Sequence, residues 1–248
     1  EILTFNLAGS VFQSISAGPY FKFTPAVSFL VACETAREVD DIEARLRDGG
    51  SELMPLGSYP FSERYAWVID RYGLSWQIMA MGGRKAGQKI TPTLMFVGSQ
   101  CGRSEEALIF YVSLFGDSAV GDIERYGPEA QPNAPTFVKH ASFSLAGRDF
   151  AAMDSAQNHD FSFNEAISFM VFCDSQAEID RYWSALSAEP EAERCGWLKD
   201  RFGLSWQIVP TALERLMGSG DEAARGRVMK AFLAMKKFDI AGLERAAL

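Results

Sequence analysis

Histidine and cysteine are scarce in this chain of 248 residues, which contains two histidines and four cysteines. The cysteines show no CxxC spacing and have no histidine-rich neighbour, whereas zinc and redox centres require clustered ligands. We therefore interpret them as ordinary buried or half-buried thiols of an intracellular protein. They are Cys33, Cys101, Cys173 and Cys195.

Clusters of basic residues and long apolar runs are missing as well. The formal net charge is −8, and the longest basic runs are the pairs Arg84-Lys85 and Lys236-Lys237. Binding to a phosphate backbone or an anionic membrane needs clustered positive charge. A helix that spans a bilayer needs about 20 apolar residues, and no signal-peptide pattern opens the given residues. These absences predict a cytoplasmic protein with no nucleic-acid or membrane partner.

Two enzyme motifs are also absent. No GxSxG elbow presents a serine nucleophile, and neither histidine stands in a recognisable relation to a serine or a cysteine. No GxGxxG follows a strand, so the glycine turn that lets a dinucleotide or S-adenosylmethionine approach the backbone is missing. From the sequence we expect no cofactor.

An internal repeat organises the residues that are present. RYGLSWQI at 71–78 recurs as RFGLSWQI at 201–208, with seven of eight positions identical. The match extends backward to FKFTPAVSF at 21–29 over FSFNEAISF at 161–169. A repeat of this kind predicts that the same structural unit occurs twice.

The pattern of strands and helices in each copy predicts an α+β fold of tandem βαβββ modules. The second copy contains two whole modules, and capping boxes begin helices at Thr35 and Ser175, while Ser104 is predicted to cap another. The first copy has only the last strands of its first module. We therefore predict a partial first domain over residues 1–88 and a complete second domain with a helical tail over residues 89–248. The opening strand and helix of that module are absent from the given residues. We expect that the native gene encodes them or that another chain supplies them, because an open sheet edge is unfavourable.

Several segments resemble the PhnB-like proteins of the glyoxalase, or vicinal oxygen chelate, superfamily. They include ITPTLMF, FNEAISFMVFC and CGWLKDRFGLSWQIVP in the second copy, and MPLGSYPFSERYAWV in the first. Members of this family are often labelled 3-demethylubiquinone-9 3-methyltransferases. The resemblance implies glyoxalase/dihydroxybiphenyl dioxygenase-like curved sheets around one small-molecule cavity. It also implies pairing of units, either as a homodimer or as an internal pseudo-dimer.

The candidate site lies on the last strand of the second copy. Strand alternation places Ser205 and Gln207 on one face and Trp206 on the other, so the first two are predicted to face the cavity. With Ser168, Phe96 and Tyr111 they form the predicted ligand-binding set. The alternative is that these polar residues only face solvent or support the fold.

Other repeated or reactive residues remain open to two interpretations. Asp70 and Asp200 precede equivalent turns, where a structural role is favoured. Cys195 lies beside Arg194 and could be a reactive thiol at the cavity mouth.

The resemblance implies that metal-dependent relatives use about three convergent His, Glu or Gln ligands. The corresponding strand positions of this chain supply hydroxyls and one amide, so no metal site is predicted. The leading hypothesis is a small-molecule binding protein of unknown ligand that acts without a metal. The alternative is an enzyme, either the methyltransferase that the family label names or a metal-dependent lyase or isomerase.

Overall fold

The computed structural model describes residues 2–16, 18–85, 87–218 and 221–248. The chain divides into two compact units, Glu1–Ala166 and Ile167–Leu248, which are called unit 1 and unit 2. Across the described residues, every helix is too short or too polar to cross a membrane.

Unit 1 contains most of the strands. Its elements are, in chain order, β1 (Ile2–Leu7), β2 (Ser10–Ile15), β3 (Val27–Cys33), α1 (Ala36–Arg47), β4 (Ser51–Tyr59), β5 (Ser62–Ile69), β6 (Ser75–Ala80), β7 (Ile90–Val97), α2 (Ser104–Leu114), β8 (Ala119–Arg125), β9 (Val138–Leu145) and β10 (Arg148–Ser155).

An eight-stranded sheet in the order β4-β5-β6-β3-β7-β10-β9-β8 forms the body of unit 1. Each half of the sheet comes from one βαβββ module, in which a helix follows the opening strand and the last strand returns to lie parallel beside it. The two opening strands, β3 and β7, pair antiparallel in the middle of the sheet. The fold is therefore α+β and is built from βαβββ modules.

The two faces of this sheet carry different residues because side chains alternate along each strand. Helix α1 packs on β5 and β6, and α2 packs on β9 and β10. The helix side carries buried apolar residues such as Phe29, Ile78 and Leu94. The opposite side carries Ser28, Gln77 and other polar residues.

The hairpin of β1 and β2 forms a separate two-stranded sheet. All six residues of β1 are exposed. The ring of Phe12 nevertheless contacts Phe29 of the main sheet, with 5.3 Å between the ring centroids. This hairpin corresponds to the last strands of the incomplete first module that the repeat predicts.

Unit 2 is smaller and ends in a helical tail. Its elements are β11 (Ser168–Cys173), α3 (Gln176–Leu186), β12 (Trp197–Lys199), β13 (Ser205–Pro210), α4 (Ala212–Gly218), α5 (Glu222–Ala234) and α6 (Ile240–Ala247). The strands form a sheet in the order β11-β13-β12. Residues 187–196, all of them described, form no strand where unit 1 has β4. The second module of the second copy therefore has three strands, and the prediction that it is a whole βαβββ module was wrong. The tail buries Val228, Phe238 and Leu243, so it packs as part of its own unit.

The compact units do not divide where the repeat does. The repeat predicts domains over 1–88 and 89–248, whereas the units divide after Ala166. The reason is the antiparallel pairing of β3 with β7, from Val27 with Leu94 to Val31 with Ile90. It places the last module of the first copy and the first module of the second copy in one sheet. The domain boundary after residue 88, which is inferred from the sequence repeat, remains a prediction.

Helix starts follow the predictions at two places and differ at a third. The side chains of Thr35 and Ser175 accept hydrogen bonds from the backbone N–H of Glu38 and Glu178. Ser104, predicted as an N-cap, is instead the first residue of α2. Its backbone N–H donates to the carboxylate of Asp154 on β10, at 3.2 Å, so the cap comes from the neighbouring strand. Such a partner cannot be read from local sequence.

Candidate functional site

Three of the predicted site residues come together on the sheet of unit 2. Ser168 on β11 lies beside Ser205 on β13 in the parallel register. The Nε2 of Gln207 donates a hydrogen bond of 2.8 Å to the Oγ of Ser168. These residues lie on the face of the sheet opposite Trp206, which is buried as predicted. We call this surface the Ser–Gln face of unit 2.

Apolar side chains flank the amide of Gln207. Met170 and Trp197 are its neighbours on the adjacent strands, and both are half-buried. Lys199 lies beside Ser205 but pairs with Glu189 at 3.3 Å. Around Gln207 the face consists of hydroxyls, an amide, a thioether and an indole, and the ion pair of Lys199 lies at its edge.

Two polar groups on this face lack partners within the described part of the chain. The Oγ of Ser205 is buried and has no hydrogen-bond partner there, in a residue that is 1% exposed. Among the described residues, none donates to the Oε1 of Gln207, whose Nε2 is already engaged. Buried polar groups are rarely left unsatisfied, since each costs roughly 1–3 kcal/mol. Gln207 is half-buried and can be reached by a further molecule, whereas the buried Oγ of Ser205 would first have to be uncovered.

The equivalent face of unit 1 has the same residues with every such group satisfied. The Nε2 of Gln77 donates to the Oγ of Ser28 at 2.8 Å, and the hydroxyl of Tyr65 donates to the Oε1 of Gln77 at 2.8 Å. The indole N–H of Trp67 donates to the Oγ of Ser75 at 2.8 Å. Burial raises the pKa of Tyr65 above its usual value, which keeps the phenol protonated as a donor. The network around Gln77 is closed, although the Oγ1 of Thr93, beside Ser28 on β7, is buried without a hydrogen-bond partner among the described residues.

One substitution accounts for the open acceptor in unit 2. The repeat aligns Tyr65 with Cys195, so the phenol that would reach the Oε1 of Gln207 is missing from this position. The backbone also changes course, because Cys195 has a φ of 51°. The N–H groups of Cys195 and Gly196 donate to the carbonyls of Met235 and Lys236 in the tail, both at 2.8 Å.

The thiol of Cys195 does not have the environment of a reactive cysteine. Burial raises its pKa, and the nearby charge of Arg194 lowers it by a smaller amount. Its Sγ donates to the carbonyl of Leu233 at 3.7 Å. A nucleophilic cysteine needs a lowered pKa, so the hypothesis of a reactive thiol at the cavity mouth finds no support in this geometry.

The other two predicted site residues lie in unit 1. Phe96 is fully buried on the helix side of β7, where its ring meets Phe163 edge to face at a centroid distance of 5.1 Å. Tyr111 is fully buried on α2. Their place in the helix-side core indicates a packing role. Their assignment to a ligand site remains a prediction.

The repeated aspartates have the structural role that was favoured. Asp200 accepts hydrogen bonds from the backbone N–H groups of Phe202 and Leu204 and from the indole of Trp206. Asp70 accepts the same three bonds, from Tyr72, Leu74 and Trp76. Each carboxylate thus fixes a turn and aims a tryptophan into the core, while leaving the neighbouring Ser and Gln on the other face.

Known proteins share the sequence pattern of both copies. The pattern of the 3-demethylubiquinone-9 3-methyltransferase family matches residues 1–79 and, separately, residues 88–209. The chain belongs to this family. A PhnB protein from Bacillus cereus that carries the same name is 39% identical to it, over 50% of this chain and 100% of that one, with a TM-score of 0.43.

Two other solved structures have a lower sequence identity to this chain. Protein PA1353 from Pseudomonas aeruginosa is 22% identical over 48% of this chain and 93% of its own, with a TM-score of 0.38. Glyoxalase I from Zea mays is 12% identical over 77% of this chain and 69% of its own, with a TM-score of 0.45. No curated protein matches the chain. The βαβββ assignment rests on the strand order described above.

A metal site would need donor atoms that these faces do not supply, although the glyoxalase superfamily includes metal-dependent enzymes. Within residues 2–16, 18–85, 87–218 and 221–248, no group of three or more His, Cys, Asp and Glu side chains could hold a metal ion. The Ser–Gln faces supply hydroxyls and an amide whose Nε2 points at a serine. Structural zinc sites use four thiolate, imidazole or carboxylate ligands, and catalytic sites use three with an open position. These residues do not fit a divalent cation.

The sequence did not predict a contact between a serine and a histidine in unit 1. The Oγ of Ser155, at the end of β10, lies 2.7 Å from the Nε2 of His159. Partial burial lowers the pKa of His159, which keeps the ring neutral near pH 7. The spacing of four residues was visible in the sequence, but the bend that brings the pair together was not.

Two surface depressions lie away from these residues. One, of about 360 Å³, is bordered by the turns at Gly9 and Gly147 together with Lys89 and Arg148. The other, of about 320 Å³, lies beside Tyr59, Phe61 and Arg84. Both belong to unit 1, and neither includes a predicted site residue.

Proposed function

We propose that this family member binds a small uncharged molecule on the Ser–Gln face of unit 2, without a metal ion. Ser168, Ser205 and Gln207 provide the hydrogen bonds, and Met170 and Trp197 provide the apolar contact. The role of unit 1 is then mainly structural at the equivalent face.

One observation carries this proposal. The acceptor of Gln207 and the hydroxyl of Ser205 have no partner among the described residues, although their counterparts Gln77 and Ser75 are both bonded. Small-molecule sites combine a few convergent polar groups with apolar surface. The half-buried state of Gln207, Met170 and Trp197 gives a ligand access to them.

The competing hypothesis is an enzyme, either the methyltransferase of the family name or a metal-dependent lyase or isomerase. The donor atoms on the Ser–Gln faces do not fit a metal. The thiol of Cys195 has a raised pKa. No described contact favours methyl transfer, so binding is the function that the geometry supports best.

The test blocks the face of unit 2 and makes the matched change in unit 1. Met170→Trp places an indole beside Gln207, and Leu30→Trp is the equivalent change beside Gln77, since the two positions align in the repeat. Binding of 4-methylphenol, benzyl alcohol and benzamide is measured by saturation-transfer NMR. Circular dichroism checks that both variants keep their secondary structure.

At least one of the three compounds is expected to bind the unsubstituted protein and Leu30→Trp but not Met170→Trp. Equal binding to both variants, or no binding of any compound to the unsubstituted protein, would contradict the proposal.

A further inference from the structure

In unit 1, the side chain of Tyr65 supplies the hydrogen-bond donor that the face of unit 2 lacks. The phenol ring of Tyr65 lies over the polar face and donates its hydroxyl to the Oε1 of Gln77 at 2.8 Å. The residue is 3% exposed. Its ring packs edge to face against Tyr59 and Phe61, with centroid distances of 5.5 Å and 5.0 Å. A phenol is therefore the group that satisfies this amide in the same protein.

The corresponding place in unit 2 has lost that group but kept its acceptor. Cys195 stands where the repeat has Tyr65, and its thiol is turned to the carbonyl of Leu233. Gln207 keeps the orientation of Gln77, because its Nε2 donates to Ser168 as Gln77 does to Ser28. Its Oε1 is consequently presented as an acceptor beside Trp197.

We infer that the ligand of unit 2 is a small hydroxyaromatic molecule, whose hydroxyl donates to the Oε1 of Gln207 and whose ring takes the place that Tyr65 fills in unit 1. This inference rests on the proposed function and names the class of its ligand. A neutral phenol fits, because an acceptor needs a donor opposite it. An ether or a phenolate cannot donate, so both bind more weakly.

The experiment compares two molecules that differ in the donor. 4-Methylphenol is the tyrosine side chain released from the backbone, and 4-methylanisole replaces its O–H by O–CH₃. Dissociation constants are measured at pH 7 by ligand titration in NMR. We expect 4-methylphenol to bind at about millimolar concentration or better, as its small size allows. 4-Methylanisole is expected to bind about tenfold more weakly, since one hydrogen bond is lost.

Two substitutions localise the effect. Gln207→Leu removes the acceptor and should weaken 4-methylphenol about fivefold to tenfold, while 4-methylanisole should bind as before. Met170→Trp fills the space beside Gln207 and should abolish binding of both compounds. Leu30→Trp in unit 1 is the control that should leave both constants unchanged.

The outcomes separate this inference from the proposed function. If 4-methylphenol and 4-methylanisole bind equally, or if only benzamide or benzyl alcohol is blocked by Met170→Trp, the phenol assignment is wrong and small-molecule binding stands. If Gln207→Leu leaves the preference for 4-methylphenol intact, the assigned acceptor is wrong. If no compound binds, both proposals fail.

Discussion

The Ser–Gln faces of the two units contain the same three polar residues in the same register and differ in their state. In unit 1, Ser28, Ser75 and Gln77 belong to a closed network with Tyr65 and Trp67. In unit 2, the hydroxyl of Ser205 and the acceptor of Gln207 are left without partners among the described residues. The same residues are thus fully bonded in one copy and only partly bonded in the other, and in our proposal the second state provides the binding surface. The neighbour that completes the network decides which.

The aspartate turns behind the two faces should show the largest difference in stability. Asp200→Ala removes three hydrogen bonds from a carboxylate that is 1% exposed. We expect a loss of about 3–5 kcal/mol, because three buried donors then lack an acceptor. Asp70→Ala removes the same bonds from a half-exposed residue and should cost about 2 kcal/mol, since water replaces part of them. Native-state hydrogen exchange of β13 and β6 measures each unit separately.

Similar losses in the two variants would mean that burial does not distinguish the turns. Asp200→Asn serves as a further control, because its amide oxygen can still accept while its charge is gone.

The two glutamines should show the second-largest difference in their contribution to stability. Gln77→Leu leaves the buried hydroxyl of Tyr65 without its acceptor and Ser28 without its donor, so we expect a cost of about 2–3 kcal/mol. Gln207→Leu breaks one bond at a half-exposed site and should cost less than about 1 kcal/mol. Hydrogen exchange in β6 and β13 again reports the two free energies of opening. A cost for Gln207→Leu as large as that for Gln77→Leu would show that unit 2 holds a closed network after all.

The smallest expected effect is that of the serines. Ser75→Ala removes the acceptor of the Trp67 indole and should destabilise unit 1 by about 1 kcal/mol. Ser205→Ala removes a buried hydroxyl that has no partner among the described residues, so stability should stay the same or rise slightly. Thermal melting of the two variants gives the sign. Clear destabilisation by Ser205→Ala would contradict the description of that hydroxyl as unsatisfied.

The sequence predicted much of the local structure, and the structure brings three of the five candidate site residues together. Alternation on the last strand placed Ser205 and Gln207 opposite Trp206, and the structure brings Gln207 to Ser168. Phe96 and Tyr111 were chosen as nearby aromatics, but both are buried on the helix side of unit 1. Whether an aromatic side chain faces the helix-side core or the polar face depends on which strands and helices pack around it. The alignment of Tyr65 with Cys195 was visible, although its consequence for Gln207 was not.

The sequence by itself determined the features whose partners are close along the chain. Thr35 and Ser175 bond residues three positions away, and Asp200 bonds residues two to six positions away. Only the tertiary structure decided which modules share a sheet and which polar groups are satisfied. Ser28 and Gln77 are 49 residues apart, and Ser168 and Gln207 are 39 apart. Whether such distant groups meet is set by strand pairing, because a hydrogen bond requires contact and local sequence does not specify it.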